Sequence, residues 1–352
     1  MILYLLSSIT QGLGFSKTNL RLFSYLFATL LVIIAGFRGD AGFDIYRYYE
    51  NWWIPASNDW LAFRKEPLLH MFFGVLDNLS FQFWHAILFC SIISIILKLL
   101  VFNKISPIPF WSLIIYYNDY FYFQDMGQFR SAVAMSFVLL SYYFLIKNRL
   151  LWFFIFWMIA SLTHISCLPT IIIYFISKRK KNIYSLNKIV FYLLATILFA
   201  LFIPLHLALN FVFNLLNISG VYASYLLDRA GYEVSNSFGS LGEILSFFIL
   251  AVCWFYFRKE KPNTTRDFFF ITYFVGFLFL ILSSTYGELM SRIARNFLVA
   301  SAILIPFLYD CTPRNKLNYN TIFIIILFYG FLKTTLIFLK RGNEFLPHGL
   351  FS

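Results

Sequence analysis

The chain has 352 residues, of which 60% are hydrophobic, 22% aromatic and only 12% charged, with a formal net charge of +12. A soluble domain is nearer half apolar, so this composition excludes one and marks an integral membrane protein. The positive excess lies in short gaps between apolar runs, where it sets membrane orientation; that argues against a nucleic-acid partner.

Residues 1–15 are apolar, with no basic lead and no cleavage site, so no signal peptide is expected. The run is also short against the about 20 residues of a membrane crossing. Apolar runs then predict spans near 20–37, 81–102, 109–123, 130–147, 150–164, 166–177, 186–206, 241–257, 267–284, 289–309 and 319–339. Together these predict an all-α, polytopic fold of roughly ten to twelve transmembrane helices. Residues 150–177 have basic ends and are too short for two full helices and a turn. They read as a hairpin of short helices meeting near His164, with Pro169 interrupting the returning arm. The stretch Glu66-Pro67-Leu68-Leu69-His70-Met71-Phe72-Phe73 reads as an amphipathic helix on the external face, with proline near its N-terminus. No internal repeat appears, so the chain reads as a single membrane domain over 1–352, with external loops at 38–80 and 207–240.

The gaps between spans alternate in character. One set is almost purely basic, as at Lys147 and Arg149, Lys178 to Lys181, and Arg258 to Arg266. The positive-inside rule puts these in the cytoplasm. The other set then faces outward, and it mixes arginines with acids, histidine and aromatics at Arg38 to Glu66, Asp125 to Arg130, His164, Asp228 to Glu233 and Glu288 to Arg295. Lys340 and Arg341 fall on the outer side of this alternation. Lys98 lies near the end of its span, where its ammonium can snorkel. The four cysteines, Cys90, Cys167, Cys253 and Cys311, have neither CxxC nor metal-site spacing, so neither zinc nor disulfides are expected.

Within the external set, Arg38 can grip a phosphate or carboxylate with a two-pronged fork, and Asp44 can serve as a base or bind sugar hydroxyls. The bland alternative is a solvated loop with an interfacial aromatic belt. Arg130 opens a helix, where a cation is disfavoured by roughly 0.3–1 kcal/mol. It needs an anion, either Asp125 or a bound phosphate. His164, at a break between helices, is either a structural hydrogen-bonder or a catalyst. Arg292 and Arg295 share one helix face, and Glu288 can pair with the first of them. Glu66 either caps its helix or takes part in chemistry. Aromatic faces such as Tyr48, Trp52 and Tyr120 suit sugar rings.

Taken together these residues resemble the EpsG family of Wzy-type polysaccharide polymerases. The family's Arg-x-x-x-Gly-x-Asp-x-x-x-Tyr signature is matched by Arg38, Gly42, Asp44 and Tyr48, and its Glu-Pro pair by Glu66-Pro67. The Arg-Gln-x-x-Ala helix start is matched by Arg130-Ser131-Ala132-Val133-Ala134, with Ser131 in place of the usual glutamine. His164-Ile165-Ser166 matches a His-x-Ser turn, and Arg292 and Arg295 a late arginine-bearing helix.

The resemblance implies a GT-C-like membrane glycosyltransferase of the bacterial inner membrane, with a periplasmic site and no metal or other cofactor. It would move a growing glycan from undecaprenyl diphosphate onto a lipid-linked repeat unit. Asp44, Glu66 or His164 would be catalytic, Arg38, Arg130, Arg292 and Arg295 would bind diphosphate, and Tyr48, Trp52 and Tyr120 would bind sugar. Implied partners are undecaprenyl-diphosphate-linked oligosaccharides, membrane lipid, and a chain-length regulator and flippase of the same pathway. Two other readings remain: a lipid-linked oligosaccharide flippase or transporter, and a membrane acyltransferase that modifies the same glycans.

Overall fold

The computed structural model describes residues 17–42, 44–59, 66–177, 184–202, 241–286 and 288–311, together with Phe328, Gly330, Phe331 and Thr335. Among the described residues every regular element is helical. Among the described residues five helices are long and apolar enough to cross a membrane, and four shorter apolar helices accompany them. The protein is therefore an all-α, multi-pass membrane protein. The N-terminal run, the 207–240 loop and nearly all of the 319–339 span lie outside the described residues.

The chain divides into two compact units, one of residues 1–168 with 305–352, the other of residues 169–304. In the first, α1 (Lys17–Gly36) packs on α5 (Phe83–Ile105) and α6 (Pro109–Tyr116). Helix α7 (Phe129–Ile146) lies between α5 and α8 (Leu150–Thr163). Its buried face carries Ser131, Ala132, Ala134, Ser136 and Ser141; such small residues let helix backbones approach closely where no hydrophobic force drives association. The hydroxyls of Ser136 and Ser141 each donate to a carbonyl one turn back, so they bring no unmet polar group into the interior.

Between α1 and α5 the chain folds outside the spans as α2 (Ile45–Tyr48), a π-helical turn π1 (Tyr49–Trp53), α3 (Ile54–Asn58) and α4 (Pro67–Asn78). Helix α4 is the amphipathic helix expected from sequence, with Pro67 in its first turn. Its 12 residues reach about 18 Å, too short to cross the bilayer. It buries Leu69, His70, Phe73, Gly74 and Leu76 and leaves Met71 and Val75 exposed. That buried face joins Ile45, Tyr48, Trp53, Phe83, Phe129 and Val133 in one apolar cluster, which roots this segment on the start of α7.

The expected 109–123 span takes a different form. Helix α6 passes at Tyr116 into an 11-residue π-helical segment, π2 (Tyr117–Gly127), that ends just before α7. The stretch 150–177 is broken where expected: α8 ends at Thr163, His164 is extended, and a 3-10 segment containing Pro169 (Ile165–Ile171) leads into α9 (Ile172–Ser177).

In the second unit α12 (Thr264–Tyr286) is the hub, packing against α10 (Leu186–Phe202), α11 (Leu241–Phe257) and α13 (Glu288–Leu298). Asn263 caps α12, its Oδ1 accepting from the main-chain N–H groups of Thr265 (3.0 Å) and Arg266 (3.1 Å). The predicted 289–309 span is interrupted after Leu298 by a turn at Val299 and Ala300, and Pro306 sits in a further 3-10 turn. Proline removes a helix donor and crowds the preceding turn.

Candidate functional site

The segment between α1 and α5 brings Glu66 onto two partners distant in sequence. Glu66 has a left-handed backbone (φ 74°) at the start of α4, is 6% exposed, and makes no cap hydrogen bond with its side chain. The capping alternative is thereby set aside. One carboxylate oxygen instead accepts from Nη1 of Arg130, at the first turn of α7, and the other faces Nδ1 of His164, at the end of α8, at 2.5 Å. The anion that Arg130 requires is thus Glu66, rather than Asp125. Two aromatic rings cover the guanidinium: its Cζ lies 3.8 Å from the Trp52 ring centroid and 4.8 Å from that of Tyr48. Cation–π attraction of this kind is worth more where water is excluded. Tyr48 is itself buried and packs edge-on against Phe129, with centroids 4.3 Å apart.

The electrostatics follow from burial and these contacts. Burial alone would raise the Glu66 carboxyl, but Arg130 and His164 outweigh it and hold the group below its ordinary 4.5. Burial pushes the Tyr48 phenol up, against the opposing pull of Arg130. An ionised carboxylate can only accept hydrogen bonds, so Nδ1 of His164 carries the proton between them and Nε2 is the nitrogen turned away from Glu66.

Arg38 is placed differently. It is 5% exposed, and its Nη1 donates to the main-chain carbonyls of Asp125 (2.5 Å) and Met126 at the end of π2. Its Cζ lies 5.6 Å from the Phe129 ring centroid. Burial lowers its pKa to about 10, which leaves it charged at neutral pH. Asp44 precedes α2 and lies 3.7 Å from Arg47. Tyr120 is buried in π2 and stacks on Tyr116, with centroids 5.8 Å apart.

Arg292 and Arg295 belong to the second unit, one turn apart on α13, both partly buried; Arg295 donates to Ser291 Oγ at 3.1 Å. The side chain of Glu288 lies outside the described residues.

A second buried cluster escaped the sequence reading. Lys98 does not snorkel: it is 0% exposed within α5, and its Nζ donates to Ser94 Oγ (2.5 Å) and to both carboxylate oxygens of Asp125 (3.3 and 3.4 Å). Ser94 Oγ and the Tyr116 hydroxyl also donate to that carboxylate. The available signal was a lysine inside an apolar run, which in a membrane protein marks a functional position until shown otherwise. Among the described residues no three His, Cys, Asp or Glu side chains gather as a metal-holding group.

A sequence model of the EpsG family matches residues 21–350, nearly the whole chain, and the chain belongs to that family. No curated protein and no solved structure matches it.

Proposed function

With membership of the EpsG family as premise, we propose that the chain is a polysaccharide polymerase of the bacterial inner membrane. On this reading it transfers a growing glycan from undecaprenyl diphosphate to the non-reducing sugar of a lipid-linked repeat unit at the periplasmic face. The observation that carries the proposal is the convergence of Glu66, Arg130 and His164 in one buried ion-paired cluster under Tyr48 and Trp52. Three motifs scattered over 98 residues meet there in an arrangement that suits a sugar hydroxyl beside a phosphate.

The chemistry requires an acceptor hydroxyl to attack the anomeric carbon as the bond from that carbon to the phosphate oxygen breaks. The lipid diphosphate leaves with the electron pair, and the hydroxyl proton goes to a base. Among Asp44, Glu66 and His164 the geometry favours His164 as that base. Glu66 has both oxygens engaged and acts as its orienting group, as a carboxylate does for the imidazole of a catalytic triad. The departing charge needs cations in a water-poor site. Arg38 and Arg130 are the proposed cations at this cluster, with Arg130 also serving as counter-ion to Glu66. Of the aromatic residues, half-buried Trp52 offers a face to a sugar, while Tyr48 and Tyr120 are buried in packing contacts.

The test is a glycan ladder on a gel from cells lacking this gene, complemented with wild type, His164→Ala or Arg130→Ala at matched protein level. Collapse of the ladder to a single attached repeat unit in both variants is the expected result. An intact ladder with Arg130→Ala removes that residue from the diphosphate set. One observation favours a transporter instead, the ion pair of Lys98 and Asp125 inside the spans, since buried charges mark translocation paths. Loss of even the single unit in the deletion strain points to that reading. An unchanged ladder with altered acetylation points to an acyltransferase.

A further inference from the structure

A lysine with 0% exposure inside a spanning helix is costly even when paired. Replacing such a pair by apolar residues of similar volume is commonly neutral or stabilising, so stability does not account for Lys98 and Asp125. What the pair holds is the end of π2. Ser94, Lys98 and Tyr116 all converge on the Asp125 side chain, and they fix a π-helical run far longer than the single turn such helices commonly make.

The main chain at that same end seats Arg38. The carbonyls of Asp125 and Met126 close the segment, where a helix has acceptors without intrahelical donors and favours a cation. Nη1 of Arg38 takes both. Gly42, with φ 122°, lies against the Met126 carbonyl, where any Cβ would collide. The remaining nitrogens of the guanidinium, Nε and Nη2, are buried and have no partner among the described residues. Together they form one straight edge, the fork that takes two oxygens of a phosphate or carboxylate side by side.

We propose that the Lys98–Asp125 pair is a positioning device for Arg38. It fixes the carbonyls on which Arg38 is seated, so that the Nε–Nη2 edge is held out to a substrate oxyanion. On the polymerase reading above, on which this rests, that oxyanion is a phosphate of the lipid diphosphate. Arg38 would touch the ligand; Lys98 and Asp125 would act only through it.

The test uses the full chain in phosphatidylcholine nanodiscs and measures binding of farnesyl diphosphate by calorimetry, alongside thermal unfolding. Wild type binds. Arg38→Lys keeps the charge but loses the fork, and affinity falls at least about tenfold. The double variant Lys98→Met with Asp125→Leu unfolds at or above the wild-type temperature, yet also binds at least about tenfold more weakly. Wild-type affinity in the double variant overturns the positioning role, and wild-type affinity in Arg38→Lys overturns the oxyanion seat. So does a wild-type protein that binds no farnesyl diphosphate. Should the double variant fail to accumulate, Tyr116→Phe removes one hydrogen bond to Asp125 and leaves the ion pair; unchanged affinity there overturns the proposal as well. Because the readout is diphosphate binding, a chain that binds as expected but builds no glycan ladder sinks the polymerase reading and leaves this one standing.

Discussion

Glu66 answers to two partners at once, and its removal leaves both short. Glu66→Gln keeps the shape and deletes the charge, so Arg130 loses its counter-ion and His164 the carboxylate facing its Nδ1, inside a buried cluster. Breaking a buried pair in this way costs about 3–5 kcal/mol, and the unfolding temperature of the purified protein should drop accordingly. The pH dependence has a definite sign. Because the folded-state pKa of Glu66 is held below 4.5, its contribution is fully present above that value and fades as pH falls through the lower folded value. Unfolding scans between about pH 7 and pH 3 should show this acid-side loss in wild type and a flatter profile in Glu66→Gln. Gly42→Ala sets a Cβ against the Met126 carbonyl at a positive φ and should destabilise by about 1–3 kcal/mol, weakening the Arg38 seat. Each of Arg38, Glu66, Arg130 and His164 was legible in the sequence from a local cue: a charge beside a glycine turn, an acid before a proline, a cation at a helix start, a histidine at a break. Their pairing was not legible. The contacts span 64 and 98 residues, and local pattern carries no information about which distant helix end arrives beside which loop.

At the scale of elements, α4 and the break at His164 could be read in advance because apolar spacing and proline act locally. Segment π2 could not. A π-helical register has no hydrophobic period of its own in so short and aromatic a run, and what stabilises it is the buried set of Ser94, Lys98 and Tyr116 on other turns and another helix. The interruption of α13 was equally hidden, since its residues remain apolar across the turn. In the second unit the closeness of α12 and α13 depends on one position. A Cβ on Gly276 would lie 2.7 Å from the Phe297 Cβ and 2.9 Å from the Leu298 main-chain nitrogen. Gly276→Leu should therefore force the helices apart and cost about 1–3 kcal/mol or more. Thermal unfolding in detergent, with Gly242→Leu as a control at an open position, measures the difference.

For the whole molecule the strongest prediction concerns sidedness. The positive-inside rule puts the 258–266 turn in the cytoplasm and the 38–80 segment outside. Cysteines placed at the exposed positions Tyr46 and Lys259 should react oppositely with a membrane-impermeant maleimide in cells whose outer membrane is permeabilised. Tyr46→Cys should label, and Lys259→Cys only after the inner membrane is opened. The native Cys90, Cys167 and Cys253 are buried and stay silent, and a Cys311→Ser background removes the fourth. The opposite pattern would move Glu66, Arg130 and His164 to the cytoplasmic side, where nucleotide-linked sugars are at hand, and the polymerase reading would fail.

The 11 residues of π2 also determine which kinds of sequence change the protein can absorb. A π-helical turn accommodates an additional residue relative to an α-helical one. A single deletion near Tyr122 would let the run tighten toward an ordinary α-helix, and the residues within it would turn by one residue's rotation, roughly 100°. Asp125 would swing away from Lys98, and the carbonyls under Arg38 would turn with it. Side-chain substitutions in this stretch should thus be graded in effect, whereas a change of length by one should be all-or-none. A scan of single-residue deletions through 117–127 would separate the two behaviours, with loss of function concentrated there and deletions in the exposed turn around Lys259 tolerated.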